Sequence, residues 1–152
     1  GQFDALIMAG AGLKRLGLSD RIRKWLPPEV SLPAPGQGAL GIEIRSNDER
    51  LARLVAFLND EKTRAACTAE RAVSRALGGS CQVPLAAYAV DRDGSLWLRA
   101  LVGDHRTGRV LFAQECAPYA QAEELASRVV GQLLKQGAQK FLDAVLSETR
   151  NS

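Results

Sequence analysis

The dipeptide Asp93-Gly94 constrains the fold of this chain more than any other pair in it. Two residues joining two apolar runs make a tight hairpin when both adopt positive φ, which Asp, Asn and Gly do at least cost. Residues 83–90 and 95–103 supply the runs, rich in Val, Leu and Ala, and are expected as antiparallel strands. A second turn at 104–108 and a third strand at 109–115 follow. Before the strands, residues 62–77 place Ala66, Ala69, Val73 and Leu77 on one helical stripe, and Gly78-Gly79 ends it. After them, Pro118 introduces a helix at 121–136 with Leu125, Val129, Leu133 and Leu134 as its apolar face. Gly137 interrupts, and a last helix is expected over 138–146. The order predicts an α+β domain: a three-stranded antiparallel sheet packed with helices on one face.

The first 59 residues follow another pattern. Residues 3–9 read as a short buried strand, Gly10-Ala11-Gly12 as a small-residue turn, and 13–17 as the start of a helix. That is half of a βαβ unit, so an incomplete α/β segment is expected here, with an N-terminal portion missing. Lys14, Arg15, Arg21, Arg23 and Lys24 gather next, and Pro27-Pro28 stops the helix. Residues 31–38 are turn-rich. Residues 39–45 read as a strand with Leu40, Ile42 and Ile44 on one face. Ser46-Asn47-Asp48 looks like a helix cap, with Leu51, Leu54, Val55 and Leu58 behind it.

Composition excludes several classes. The 152 residues are 46% apolar and 24% charged, the balance of a globular protein that can bury a real core. No apolar run reaches membrane-spanning length. Three cysteines, Cys67, Cys81 and Cys116, without CxxC spacing argue against a disulfide scaffold or zinc site and fit a reducing cytoplasm. His105, in a turn, is the only histidine, so neither a metal cluster nor a Ser-His-Asp triad can be assembled.

Three places could carry chemistry. Gly10-Ala11-Gly12 opens a helix, where backbone N–H groups and nearby Lys14 and Arg15 would favour an anion; it serves equally as a plain strand-helix turn. Pro35-Gly36-Gln37-Gly38-Ala39 puts glycines on both sides of Gln37, for close approach to a ligand or for a hinge. Cys81 follows Gly78-Gly79-Ser80 on a loop, as an accessible nucleophile or a structural thiol. Cys67, within a helix, and Cys116, at a strand end, read as buried small hydrophobes.

Ordered motifs then point to a family. Ala11-Gly12-Leu13-Lys14-Arg15-Leu16-Gly17-Leu18, Leu26-Pro27-Pro28-Glu29, Leu32-Pro33-Ala34-Pro35-Gly36-Gln37-Gly38-Ala39-Leu40-Gly41-Ile42-Glu43, Thr68-Ala69-Glu70-Arg71, Gly79-Ser80-Cys81-Gln82-Val83-Pro84 and Leu98-Arg99-Ala100 together resemble the C-terminal half of porphobilinogen deaminases, also called hydroxymethylbilane synthases. The resemblance implies three pieces: 1–31 from the end of domain 2, 32–59 returning through domain 1, and 60–152 as the cofactor-anchoring domain 3. It implies a heme-pathway transferase that condenses four porphobilinogen units, with loss of ammonia, into hydroxymethylbilane. Cys81 would hold a dipyrromethane cofactor by a thioether. Arg15 would bind acidic side chains of cofactor or substrate, and Gln37, Gly38, Ala9 and Gly10 would line the cleft.

Ser80 stands where the family often has glycine, and Leu77-Gly78 where many members have leucine then an acid. The family's catalytic aspartate belongs to the N-terminal half, so no catalytic residue is expected here and the isolated piece is expected to be inactive. The complete enzyme is expected to be a cytoplasmic monomer whose partners are porphobilinogen, the growing polypyrrole and that N-terminal half, with neither membrane nor nucleic acid. The alternative, a double-stranded RNA-binding module of similar element order, is disfavoured. Its last helix would begin with lysines, whereas this one begins Gln121-Ala122-Glu123-Glu124.

Overall fold

The computed structural model describes residues 3–79 and 83–150. They fall into two compact units, Gly1–Ser31 and Leu32–Ser152.

The first unit is mostly irregular. Helix α1 spans Gly10–Arg15, and one 3-10 turn spans Ser19–Arg21. The strand expected at 3–9 is absent, because no second strand pairs with it among the described residues. The helix is shorter than expected and ends ten residues before Trp25 rather than at Pro27. Its Cys-free, small-residue start meets a large partner instead: a Cβ on Gly10 would lie 2.1 Å from the Trp25 ring, so only glycine lets that ring sit there. Lys14 caps the arrangement with its ammonium 4.9 Å from the Trp25 ring centroid.

The second unit opens with turns. Gln37 N–H donates to the Ala34 carbonyl at 3.1 Å, and Ala39 N–H to the Gly36 carbonyl at 3.3 Å. Each turn carries a glycine with positive φ at its third residue, Gly36 at 73° and Gly38 at 91°. Residues 39–45 are not a strand: Leu40 and Ile42 are exposed and no partner strand is present among the described residues. Asp48 caps helix α2 (Glu49–Val55) as expected, accepting the Leu51 N–H at 2.9 Å. A 3-10 turn, Ala56–Leu58, follows.

Asp60 caps α3 (Glu61–Ala76) in the same way, with the Thr63 N–H at 2.7 Å. Ala69, Val73 and Leu77 are buried along its stripe. The helix ends with Gly78 at φ 67°; Gly78 N–H reaches the Arg75 carbonyl and Gly79 N–H the Ser74 carbonyl, at 3.4 and 2.7 Å. This pair of bonds satisfies carbonyls that the last turn otherwise leaves open.

Strands β1 (Leu85–Arg92), β2 (Ser95–Gly103) and β3 (Val110–Ala117) form one antiparallel sheet in the order β1-β2-β3. Asp93 and Gly94, at φ 53° and 79°, make the two-residue turn, with Arg92 paired to Ser95. At the next turn Asp104 accepts from the Arg106 N–H, the Thr107 hydroxyl and the Arg106 guanidinium, and Gly108 closes it at φ 69°. Helix α4 (Ala122–Lys135) and helix α5 (Ala138–Arg150) complete the unit.

Ala87, Ala89, Leu96, Leu98, Ala100, Val102, Leu111 and Ala113 project from one face of the sheet into a core with Val73, Leu125, Val129 and Leu133. The α+β architecture of the domain is therefore the expected one. Three details differ. Leu134 is 41% exposed, one residue round α4 from the buried stripe. Cys116 is exposed, because it lies on the sheet face opposite the core, as do Val110 and Phe112. Cys67 is only half-buried, though burial still pushes its thiol pKa up.

Candidate functional site

Ala9 is the N-cap of α1 with extended backbone, and Gly12 N–H donates to its carbonyl at 3.1 Å; no side chain caps this end. Gly10 is the first helical residue, held against Trp25. Arg15 is exposed in the last turn. Lys14 and Arg15 therefore stand at the C-terminal end of α1, where they complement the negative end of the helix dipole, rather than adding charge to its N-terminal amides. The guanidinium of Arg15 is an exposed fork of the kind that binds carboxylates in pairs of hydrogen bonds.

In the second unit Gln37 and Gly38 are both exposed. The Gln37 side chain folds over its own turn, its Oε1 accepting the Ala34 N–H at 3.2 Å, which leaves its amide NH2 group toward solvent. The two left-handed glycines present this loop with little side-chain bulk.

Glu70 holds the loop from below, and the reading of the sequence did not single it out for a role. It is only 6% exposed. One carboxylate oxygen accepts the Gly36 N–H at 2.6 Å and the other the Ala89 N–H of β1 at 2.7 Å. Burial raises its pKa, and the two amide donors work against that shift without cancelling it. A signal was available: an acid beside Ala69 and Val73, on the buried side of an amphipathic helix, requires partners of its own.

Cys81, with Ser80 and Gln82, lies outside the described residues. What leads to it is described. A Cβ on Gly79 would lie 2.0 Å from Ser74 Oγ and 2.8 Å from the Ser74 carbonyl oxygen, so the residue two positions before Cys81 has to be glycine. On the far side, Val83 is buried and Pro84 leads into β1. Gly79 is thus held against the end of α3, and Val83 against the core.

The remaining features fall elsewhere. A cleft of about 650 Å³ is lined by Lys62, Arg64, Thr68, Tyr119 and Glu123 among others, and by none of the expected site residues. At its rim Asp91 accepts from Lys62 at 2.6 Å and from the Tyr119 hydroxyl, which lowers its pKa to about 2. Among the described residues no three His, Cys, Asp or Glu side chains converge as a metal site, and no helix is long and apolar enough to cross a membrane.

Comparison with known proteins identifies the frame for these residues. Residues 1–53 match the family model described as porphobilinogen deaminase, dipyromethane cofactor binding domain, and residues 64–135 match porphobilinogen deaminase, C-terminal domain. Together the two matches take in most of the chain. The chain belongs to the porphobilinogen deaminase family. Relatives named porphobilinogen deaminase include those of Paraburkholderia phytofirmans, 54% identical over 148 residues, and Chromobacterium violaceum, 51% identical over 150. A third, from Paraburkholderia phymatum, is 54% identical over 148 residues. These alignments take in 95%, 99% and 95% of this chain but 43%, 48% and 45% of the relatives, so the chain spans a little under half their length. In porphobilinogen deaminase terms, Ala9, Gly10, Arg15, Gln37 and Gly38 fall in the stretch matched to the cofactor-binding domain, and Cys81 and Glu70 in the stretch matched to the C-terminal domain.

Proposed function

We propose that this chain is the C-terminal part of a hydroxymethylbilane synthase, a cytoplasmic, monomeric enzyme that condenses four porphobilinogen molecules, with loss of ammonia, in tetrapyrrole biosynthesis. In this reading 1–31 closes domain 2, 32–59 returns through domain 1, and 60–152 is the cofactor-anchoring domain. The catalytic aspartate lies in the N-terminal half, which is the chain's obligatory partner, so the chain alone has no turnover.

The single observation that carries the reading is the paired match, cofactor-binding domain then C-terminal domain, with relatives at 51–54% identity. The residues fit the group such a protein holds. A dipyrromethane carries acetates and propionates, and Arg15 offers an exposed fork for carboxylates. Gln37 presents donors from a loop free of bulk, and the described residues leading toward Cys81 admit only glycine at position 79. When bound, the dipyrromethane supplies the pyrrole end from which the chain of rings grows.

The role of Cys81 is attachment. Its sulfur replaces ammonia at an aminomethylpyrrole carbon: the S–C bond forms, the C–N bond breaks, and the thiol proton leaves with the amine. Arg15 orients carboxylates, and Gln37 with the Gly38, Ala9 and Gly10 backbone limits which geometry can approach.

Intact mass under denaturing conditions tests this reading in the complete enzyme. The wild type should carry the added mass of two linked pyrroles, and the Cys81→Ala form should lack it. Retention of that mass in Cys81→Ala refutes the thioether at this residue.

A further inference from the structure

We infer that Glu70 is a positioning residue for the Gln37 loop, a buried two-armed carboxylate that fixes the loop backbone to the α3–β1 framework. The inference rests on the reading above for the loop's role, and on geometry alone for the latch itself.

The geometry is specific. Glu70 lies on the buried face of α3, next to Ala69 and one turn before Val73, where a carboxylate is costly. Its two oxygens are used separately. Oε1 takes the Ala89 N–H from the edge strand β1, and Oε2 takes the Gly36 N–H from the turn, 34 residues earlier in the chain. Ala89 is fixed by the ladder, paired with Leu98. Gly36 has no ladder, so the Glu70 arm sets where its turn sits. Gln37 is the next residue, and its side chain is already tied to that turn through Ala34.

The residue type follows from the donors. Both partners are N–H groups, so both side-chain atoms facing them must accept. Glutamine has the same shape but offers one oxygen and one NH2, which would face a donor. Aspartate has two acceptors but is one methylene short of spanning both. Only glutamate meets both arms, which explains an acid kept where burial raises its pKa. Arg71 and Cys67 are the ionisable neighbours on the same helix, and Arg71 lies over the loop, its Nε 3.9 Å from where a Gly36 Cβ would stand.

The test uses amide hydrogen exchange and NMR titration on the 152-residue chain. Glu70→Gln should speed Gly36 exchange about tenfold while the β2 amides keep their protection. Unchanged Gly36 exchange overturns the latch. Should Glu70→Gln fail to fold, the wild type still decides: Gly36 and Ala89 amide shifts must follow one shared titration, and two independent midpoints, or none, overturn it. In the complete deaminase, Glu70→Gln should raise KM for porphobilinogen about tenfold with a smaller effect on kcat, as expected of a residue that holds a binding loop. Wild-type KM and kcat in that variant sever the latch from the site. A wild-type enzyme that never consumes porphobilinogen refutes the functional reading and leaves the exchange result standing.

Discussion

Residues 39–45 and residues 96–102 both read as strands and end in different states. Residues 39–45 alternate apolar and other residues, and residues 96–102 are apolar at every position but Arg99. In β2 one face enters the core: Leu96, Leu98, Ala100 and Val102 are buried, and turns bring β1 and β3 to either side. In 39–45, Leu40 is 96% exposed and no strand pairs with it among the described residues. The same contrast divides the molecule. Residues 3–58 contain no buried side chain, whereas residues 69–145 hold the entire core of the described residues. Alternation states which face would be buried, and a partner close in the chain decides whether it is. β2 has two such partners within turn distance, and 39–45 has none.

Truncating one leucine in each segment is the most forceful way to break this comparison. Leu98→Ala removes a fully buried side chain between α3 and α4 and should cost about 2–5 kcal/mol. Leu40→Ala should change stability by less than about 0.5 kcal/mol in this chain, since nothing packs on it. Denaturant melts monitored at Trp97 measure both. Equal effects would mean that residues 39–45 are packed after all.

Much of the C-terminal domain was legible because its signals are local. Asp93-Gly94 located a hairpin, Gly78 a helix end, and the stripes of Ala69–Val73 and Leu125–Val129–Leu133 located the core. Boundaries were less so. β2 spans the expected 95–103, but β1 spans 85–92 rather than 83–90 and β3 spans 110–117 rather than 109–115, because strand ends are set by what lies across the ladder: Arg92 pairs with Ser95 and Ala117 with Leu96. Cys116, expected as a buried residue at the end of the third strand, instead lies within β3 opposite Trp97, on the face away from the core. The motif around Gln37 was legible, but its support was not. Glu70 is 34 residues from Gly36, and no periodicity links them.

Glycines compare the two regions on a smaller scale. Gly78 and Gly36 both have positive φ, at 67° and 73°. Alanine at either should cost about 1–2 kcal/mol locally. At Gly78 the strain falls on the end of α3 and should lower the melting temperature of the whole domain. At Gly36 it falls on a turn outside the core, so the domain melt should barely move while the Gln37 amide signal shifts. A large loss of domain stability in Gly36→Ala would make the loop part of the folding core.

Acid separates the turns from the core. Asp104 is lowered from the ordinary 3.8 to about 2, first by the Arg106 N–H and then by the Thr107 hydroxyl and the Arg106 guanidinium. A carboxylate held below its unfolded value stabilises fully above that value, and the gain fades as pH falls from about 3.8 toward about 2. Glu70 has the opposite sign. Its pKa is raised, so the folded state binds its proton more readily than the unfolded one and this group's contribution declines as pH rises through its folded value. Between these windows the β2–β3 turn and the Gln37 loop should respond to pH separately, which chemical shifts of Gly108 and Gly36 would read. A common midpoint for the two would merge them into one cooperative transition.

The smallest effect expected concerns helix α2, the one regular helix in 32–58. It has a capped start at Asp48 and a Glu49–Arg53 pair at 3.5 Å, one turn apart with the acid first. Both side chains are largely exposed, so the pair contributes about 0.3 kcal/mol. Arg53→Ala should therefore leave the domain melt unchanged and lower α2 protection in amide exchange only slightly, more at low salt than at high. Asp48→Ala should loosen the same helix further, by about 1 kcal/mol, through the lost Leu51 N–H bond. If neither change alters α2 exchange, the helix is held by packing, and residues 32–58 are closer to the behaviour of the core than their exposure implies.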